Sequence, residues 1–272
     1  MRQESTKPYS TVVELVAILA IFVLAQTVGG YFKVVAERTW AVGNELGTFI
    51  AYTSGMVLAV LGAIFVRSLG GGAKLPRRSY RIYLPHSTIM LWGILLAVAM
   101  SVVVEPLTEA MPSRYYEMVL KTVGTGTWAI LTTVVAAPIL EEILFRGIVQ
   151  DVITRRWGGL TGIFFGALIF GLIHIIPQQM VAAFAVGLVL GYVYMRTRSL
   201  LAVVIIHAIN NILSYLMMAI SNGAATTVRD MVGNAGWYYT LYGVCAALVL
   251  VSALSITGNY LRLKYKRKSA NG

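Results

Sequence analysis

The chain has 272 residues, of which 58% are hydrophobic and only 12% charged, and its mean hydropathy is +0.75. Soluble domains carry about 25% charged residues, so this composition excludes an ordinary soluble domain and describes a polytopic membrane protein. A lone cysteine, Cys245, excludes an intramolecular disulfide and any cysteine-rich metal site, and its apolar surroundings suit a small buried hydrophobe.

Apolar runs of about 20 residues mark helices that cross a bilayer. In chain order the candidates lie near 11–32, 47–66, 87–104, 125–153, 158–176, 179–195, 199–220 and 236–257. The expected architecture is therefore all-α: one membrane domain over 1–272, about eight transmembrane helices in a bundle around an intramembrane polar cavity. The first run is of spanning length and lacks a strongly basic leader, so no cleavable signal is expected. The fourth run exceeds one perpendicular crossing, so it must tilt or extend out of the bilayer. Polar breaks such as "RSLGGGAKLPRRSYR" and "SNGAATTVRD" separate neighbours, and no internal repeat is evident.

Basic loops face the cytoplasm. An even number of spans puts both termini on one side. That side would hold Arg2, Lys7, Arg67, Lys74, Arg77, Arg78, Arg81, Arg155, Arg156, Arg196, Arg198, Arg262, Lys264, Lys266, Arg267 and Lys268. The other would hold only Lys33, Arg38, Arg114, Lys121 and Arg229. Sixteen against five places both termini in the cytoplasm and agrees with eight crossings. The net charge of +11 then reflects this asymmetry and attraction to anionic lipid, and calls for no nucleic-acid partner.

Ionisable side chains inside spans are costly and mark function by default. Glu141, Glu142, His174 and His207 sit at depth, with Arg146 close by. Glu14, near the start of the first span, is expected at the interface, and His86, beside Pro85 in a basic loop, is expected to be solvated. In the stretch "APILEEILFRG", Glu142 and Arg146 are four apart and therefore within reach of an ion pair. Glu141 is rotated by about 100° from Glu142, which directs it to a different neighbour. This spacing gives Arg146 to Glu142 as a brace and leaves Glu141 to face a polar cavity. Pro138, three residues earlier, removes one helix hydrogen bond, so a local bend beside Glu141 is one reading and ordinary tolerance of proline is the other.

If the fourth and fifth spans are straight antiparallel helices joined at "RRWGGL", Glu141 lies 16 residues before Trp157 and His174 lies 17 after it. At about 1.5 Å per residue both reach a depth of roughly 25 Å from the turn. His207 and Asn211, one turn apart on the seventh span, fall within tilt of that level. No Gly-x-Ser-x-Gly elbow or His-Glu-x-x-His motif occurs, and the only aspartates are Asp151 and Asp230. Water activation remains: a carboxylate as general base, an imidazole to pass the proton on, and donors for an oxyanion. The same side chains, Glu141, His174 and His207, also form a conceivable ligand set for a divalent metal such as zinc. The spacing leaves both schemes open. It also leaves open a proton relay in a transporter.

The ordered set "EEILFR" (Glu141, Glu142, Arg146), "FGLIH" (Phe170, His174) and "HAINN" (His207, Asn211) resembles the three motifs of the CAAX prenyl protease and bacteriocin-processing family. These motifs are Glu-Glu-x-x-x-Arg, Phe-x-x-x-His and His-x-x-x-Asn, and the resemblance covers about residues 125–216. It implies an eight-helix intramembrane endopeptidase related to the type II CAAX prenyl endoprotease. In that scheme Glu141 and His174 activate water, His207 and Asn211 form the oxyanion hole, and Glu142, Arg146 and Phe170 support them. No cofactor is required, although the family has also been classed as metalloproteases. The implied substrate is a prenylated or membrane-associated protein or peptide, and the implied location is a prokaryotic-type plasma membrane. A non-catalytic scaffold, an immunity protein or a proton-coupled transporter using the same cavity are the alternatives. Oligomeric state is not legible.

Overall fold

The computed structural model describes residues 11–69, 82–111, 124–220 and 227–270. The basic residues Arg2, Lys7, Lys74, Arg77, Arg78, Arg81, Arg114 and Lys121, on which much of the expected charge asymmetry rests, lie outside the described residues. Among the described residues the regular elements are helices: α1 (Thr11–Trp40), α2 (Asn44–Leu69), α3 (Ser87–Glu109), α4 (Thr127–Trp157), α5 (Gly159–Leu172), α6 (Pro177–Thr197), α7 (Leu200–Ile220), α8 (Val228–Val232) and α9 (Ala235–Ala270). An all-α polytopic chain is what the hydropathy requires, because a backbone in lipid must satisfy its own hydrogen bonds.

Among the described residues, seven helices rather than eight are long and apolar enough to cross a membrane. The difference lies in the expected span 158–176, where α5 has only 14 residues. At 1.5 Å per residue that is about 21 Å, short of a hydrocarbon core of about 30 Å. Pro177 is the cause. It opens α6, and as a proline it biases the preceding residue away from helix; Ile176 is extended at φ −88°, ψ 121°. The four residues Ile173–Ile176 therefore form a turn, and His174 sits on that turn rather than inside a span.

The chain folds as two compact units. One is Met1–Arg81 with Glu117–Gly162, and the other is Ile82–Tyr116 with Ile163–Gly272.

In the first unit α1 and α2 pack through small residues. A side chain on Gly29 would run into the Ala51 carbonyl, and one on Gly62 would run into Ile21. Close backbone approach of this kind is how helices associate in lipid, where burial of apolar surface gives no drive. A charged cluster ties both helices to α4. Arg67 lies 3.2 Å from Asp151 and 3.6 Å from Glu14, and Arg155 lies 2.8 Å from Asp151. Glu14 is only 3% exposed, and it is buried opposite Arg67.

The start of α4 is capped from α2. Glu45 Oε1 accepts the backbone N–H groups of Thr125 at 3.0 Å and Gly126 at 2.9 Å, satisfying donors that a helix N-terminus leaves open. Gly126 makes room for this, since a Cβ there would collide with the Glu45 carboxylate. Gly126→Ala is thus expected to expel Glu45 and cost about 1–2 kcal/mol, the typical value of a lost cap. Thermal denaturation in detergent checks this, with Glu45→Ala adding nothing in the double variant.

The middle of α4 is not uniform. Two π-helical stretches, Leu131–Ala136 and Ile143–Val149, flank the α-helical residues Ala137–Glu142. Pro138 has no N–H to give Val134, and the Ala137 N–H reaches back to Thr132 instead. Such one-residue widenings are favoured at functional sites.

In the second unit α3 packs on α6, α7 and α9. Gly93 leaves space for Ile206, whose Cδ1 would lie 2.7 Å from a Cβ at that position. Cys245 is buried against Ala99 and Val102, as a small hydrophobe. Tyr192 links α6 to α9 by donating to the Ala253 carbonyl at 2.8 Å. Tyr83 donates to the Thr197 carbonyl, and Ser199 donates back to the Tyr83 carbonyl, which fixes the turn between α6 and α7. Glu105 of α3 accepts the N–H groups of Val228 and Arg229 at the start of α8. His86 caps α3 through Thr88 and is exposed, as expected of a solvated histidine.

Candidate active site

The first unit holds the acidic motif residues. Glu141 is 7% exposed, Glu142 is fully buried and Arg146 is 2% exposed. The guanidinium of Arg146 donates to Glu142 Oε1 at 2.9 Å, the ion pair that their spacing predicts. Glu141 turns another way along α4 and accepts a hydrogen bond from the Tyr52 hydroxyl of α2 at 2.5 Å. That distance is at the short end of O–H···O⁻ bonds, the strong, charge-assisted class. The two carboxylates thus make different hydrogen bonds, while both lie close enough to act electrostatically on Arg146 and on Tyr52. The helix itself produces the difference in bonding, because adjacent residues differ by about 100°. Phe145, between the pair and Arg146, is buried and meets the ring of Phe22 edge-on at 6.3 Å.

The second unit holds the two motif histidines. Phe170, the last aromatic of α5, is 2% exposed and carries a histidine on each side. The His174 ring lies 5.1 Å from it and the His207 ring 5.9 Å, both nearly perpendicular. Phe170 thus holds the two imidazoles in place around one apolar ring, although one comes from a turn and the other from α7. The break before Pro177 brings His174 back over the end of α5. Its backbone N–H bonds to the Gly171 carbonyl at 3.0 Å, and its Nδ1 lies 2.8 Å from the Phe170 carbonyl. A carbonyl only accepts, so Nδ1 carries the proton, and in the neutral ring Nε2 is then the basic nitrogen. His207 is buried in α7, with Asn211 half-buried one turn further on.

Two contacts at these residues were not legible from motif spacing. Tyr52 lies 89 positions from Glu141, and the only signal for it is the polar "YTS" inside an otherwise apolar span. Asn210, next to Asn211, accepts a hydrogen bond from Ser101 of α3 at 2.9 Å, which pins α7 one residue from the motif asparagine. An open cleft of about 670 Å³ in the second unit, lined by His86, Asn259, Arg262 and Tyr265, contains no motif residue. Among the described residues no three His, Cys, Asp or Glu side chains are grouped so as to hold a metal ion.

Residues 123–213 match the family described as Rce1-like, type II CAAX prenyl endopeptidase. The match covers about a third of the chain. The Rce1-like segment contains Glu141, Glu142, Arg146, Phe170, His174, His207 and Asn211, and its limits fall close to the 125–216 expected from the motifs. It runs from the capped start of α4 into α7, so it takes residues from both units. No curated protein and no solved structure matches the chain. The long apolar helices make the chain an integral membrane protein.

Proposed function

We propose that the protein is an intramembrane endopeptidase that cuts near the C-terminus of a prenylated CAAX protein or of a membrane-associated peptide. The observation that supports this best is the family match over residues 123–213, which holds the buried Glu141 beside the Glu142–Arg146 ion pair. In the proposed reaction Glu141, with His174, draws a proton from water as the water oxygen bonds to the scissile carbonyl carbon. The carbonyl π electrons move onto oxygen, and His207 with Asn211 donates hydrogen bonds to that oxyanion, each donor contributing about 3 kcal/mol. The tetrahedral intermediate then collapses. The C–N bond breaks, and the proton taken from water goes to the leaving amine. The tautomer of His174 suits this step, because Nε2 is the nitrogen that receives and returns the proton.

Assay of the purified protein on a farnesylated CAAX peptide, with products identified by mass, tests the reading. The expected result is release of the C-terminal tripeptide. It should persist after a strong chelator and metal analysis show the sample to be metal-free. Loss of activity on metal removal, with recovery on adding zinc, would replace the scheme with one using Glu141, His174 and His207 as ligands. A wild-type protein inert on this peptide and on a broad peptide library would favour a non-catalytic scaffold.

The location that accompanies this reading is a prokaryotic-type plasma membrane with both termini cytoplasmic. That orientation counts α5 as a crossing, since seven crossings would put the termini on opposite sides, and the basic asymmetry of the loops in the sequence favours it. Tags at each terminus should both resist protease added outside intact cells. Digestion of one tag would contradict it.

A further inference from the structure

We propose that Tyr52 is a positioning residue for the reaction, holding the Glu141 carboxylate in the orientation from which it takes a proton from water. The inference rests on the reading of Glu141 as the base. Glu141 sits between two π-helical stretches, where the helix is wider and its backbone bonds are shifted by one residue. The glutamate side chain has about three rotatable bonds, and a base must keep its oxygen within about 3 Å of the water it activates. The Tyr52 hydroxyl supplies the constraint from α2, by a 2.5 Å bond to Oε1. A carboxylate offers about four lone-pair directions, and the phenol takes one of them. Holding Oε1 sets the plane of the carboxylate, and with it the direction in which the carboxylate meets the water.

Tyrosine suits this place better than serine. Its rigid ring places a polar tip across from α2 to Glu141 on α4. The α2 helix is itself fixed. It packs closely on α1 through Gly29 and Gly62, and its Glu45 caps α4, so the phenol is delivered from a scaffold already tied to the helix that carries Glu141.

The test uses the full chain in detergent and the farnesylated CAAX peptide. Tyr52→Phe removes one oxygen and is expected to lower kcat about tenfold or more. KM should stay within about twofold, since the loss falls on the chemical step. In the Glu141→Gln background the same change should cost no further activity. Incorporation of 3-fluorotyrosine at position 52 keeps the shape while strengthening the donor, and it should change kcat by about twofold or more at unchanged Tm. These results support the inference even if Tyr52→Phe proves poorly folded. Unchanged kcat in Tyr52→Phe or in the fluorinated protein, while Glu141→Gln is inactive, would overturn the role of Tyr52 and leave the protease reading standing. A wild type inert on every peptide would overturn both.

Discussion

Glu141→Gln is expected to reduce kcat by about 10²–10⁴-fold, the range that one general base contributes, with little change in Tm. Glutamine has nearly the same shape, and its carbonyl oxygen still accepts from the Tyr52 hydroxyl, so the 2.5 Å contact between α2 and α4 has no reason to break. What it lacks is the ability to take a proton. The prediction therefore separates chemistry from architecture at a position where alanine would disturb both. Steady-state cleavage of the peptide, together with thermal denaturation of the same preparations, checks it. A Glu141→Gln protein that cleaves at the wild-type rate would remove Glu141 from the mechanism.

Arg146→Met is expected to have the largest effect on stability. Glu142 is fully buried and Arg146 is 2% exposed, so removing the cation leaves a carboxylate inside the protein without its counter-charge. Breaking a buried pair from one side typically costs about 3–5 kcal/mol, a large fraction of what holds a domain together. The double variant Glu142→Leu/Arg146→Met should recover most of that loss, because two apolar side chains of similar volume need no partner. The measurement is the Tm and monodisperse yield of the singles and the double in detergent. A double variant as unstable as Arg146→Met would mean that the pair has a further role in holding α4 together.

These two residues also mark what could be read from sequence and what could not. The Glu142–Arg146 pair was legible because both members lie on one helix, and a spacing of four puts them on one face. The membrane helices were legible from hydropathy alone, for the same reason that lipid admits so few backbone conformations. The end of α5 was not, although its cause, Pro177, is present in the chain. A hydropathy window counts Ile173, Ile175 and Ile176 as span, and it is blind to the extended backbone that a proline imposes on its predecessor. His174 consequently lies on a turn, and the depth matching by straight helices does not describe how it is held. Its neighbour Phe170 does that.

The π-helical stretches around Glu141 were legible only as a hint from Pro138, because widening a helix by one residue leaves no compositional mark. Partners far apart in sequence were not legible at all. Glu14, Arg67 and Asp151 come from three helices, and each alone resembles an interfacial charge. Glu45 as the cap of α4, 80 positions away, and Tyr52 as the partner of Glu141 are tertiary facts of the same kind.

The central claim is that Glu141, His174 and His207 act together in activating water. The most direct measurement is kcat/KM for Glu141→Ala, His174→Ala, His207→Ala and the double variant Glu141→Ala/His174→Ala on the farnesylated CAAX peptide. Residues acting as a unit lose activity together and non-additively. The account predicts that each single falls to nearly the same floor, and that the double falls no lower than Glu141→Ala. His174→Ala or His207→Ala retaining wild-type kcat/KM, in protein of wild-type Tm, would contradict it.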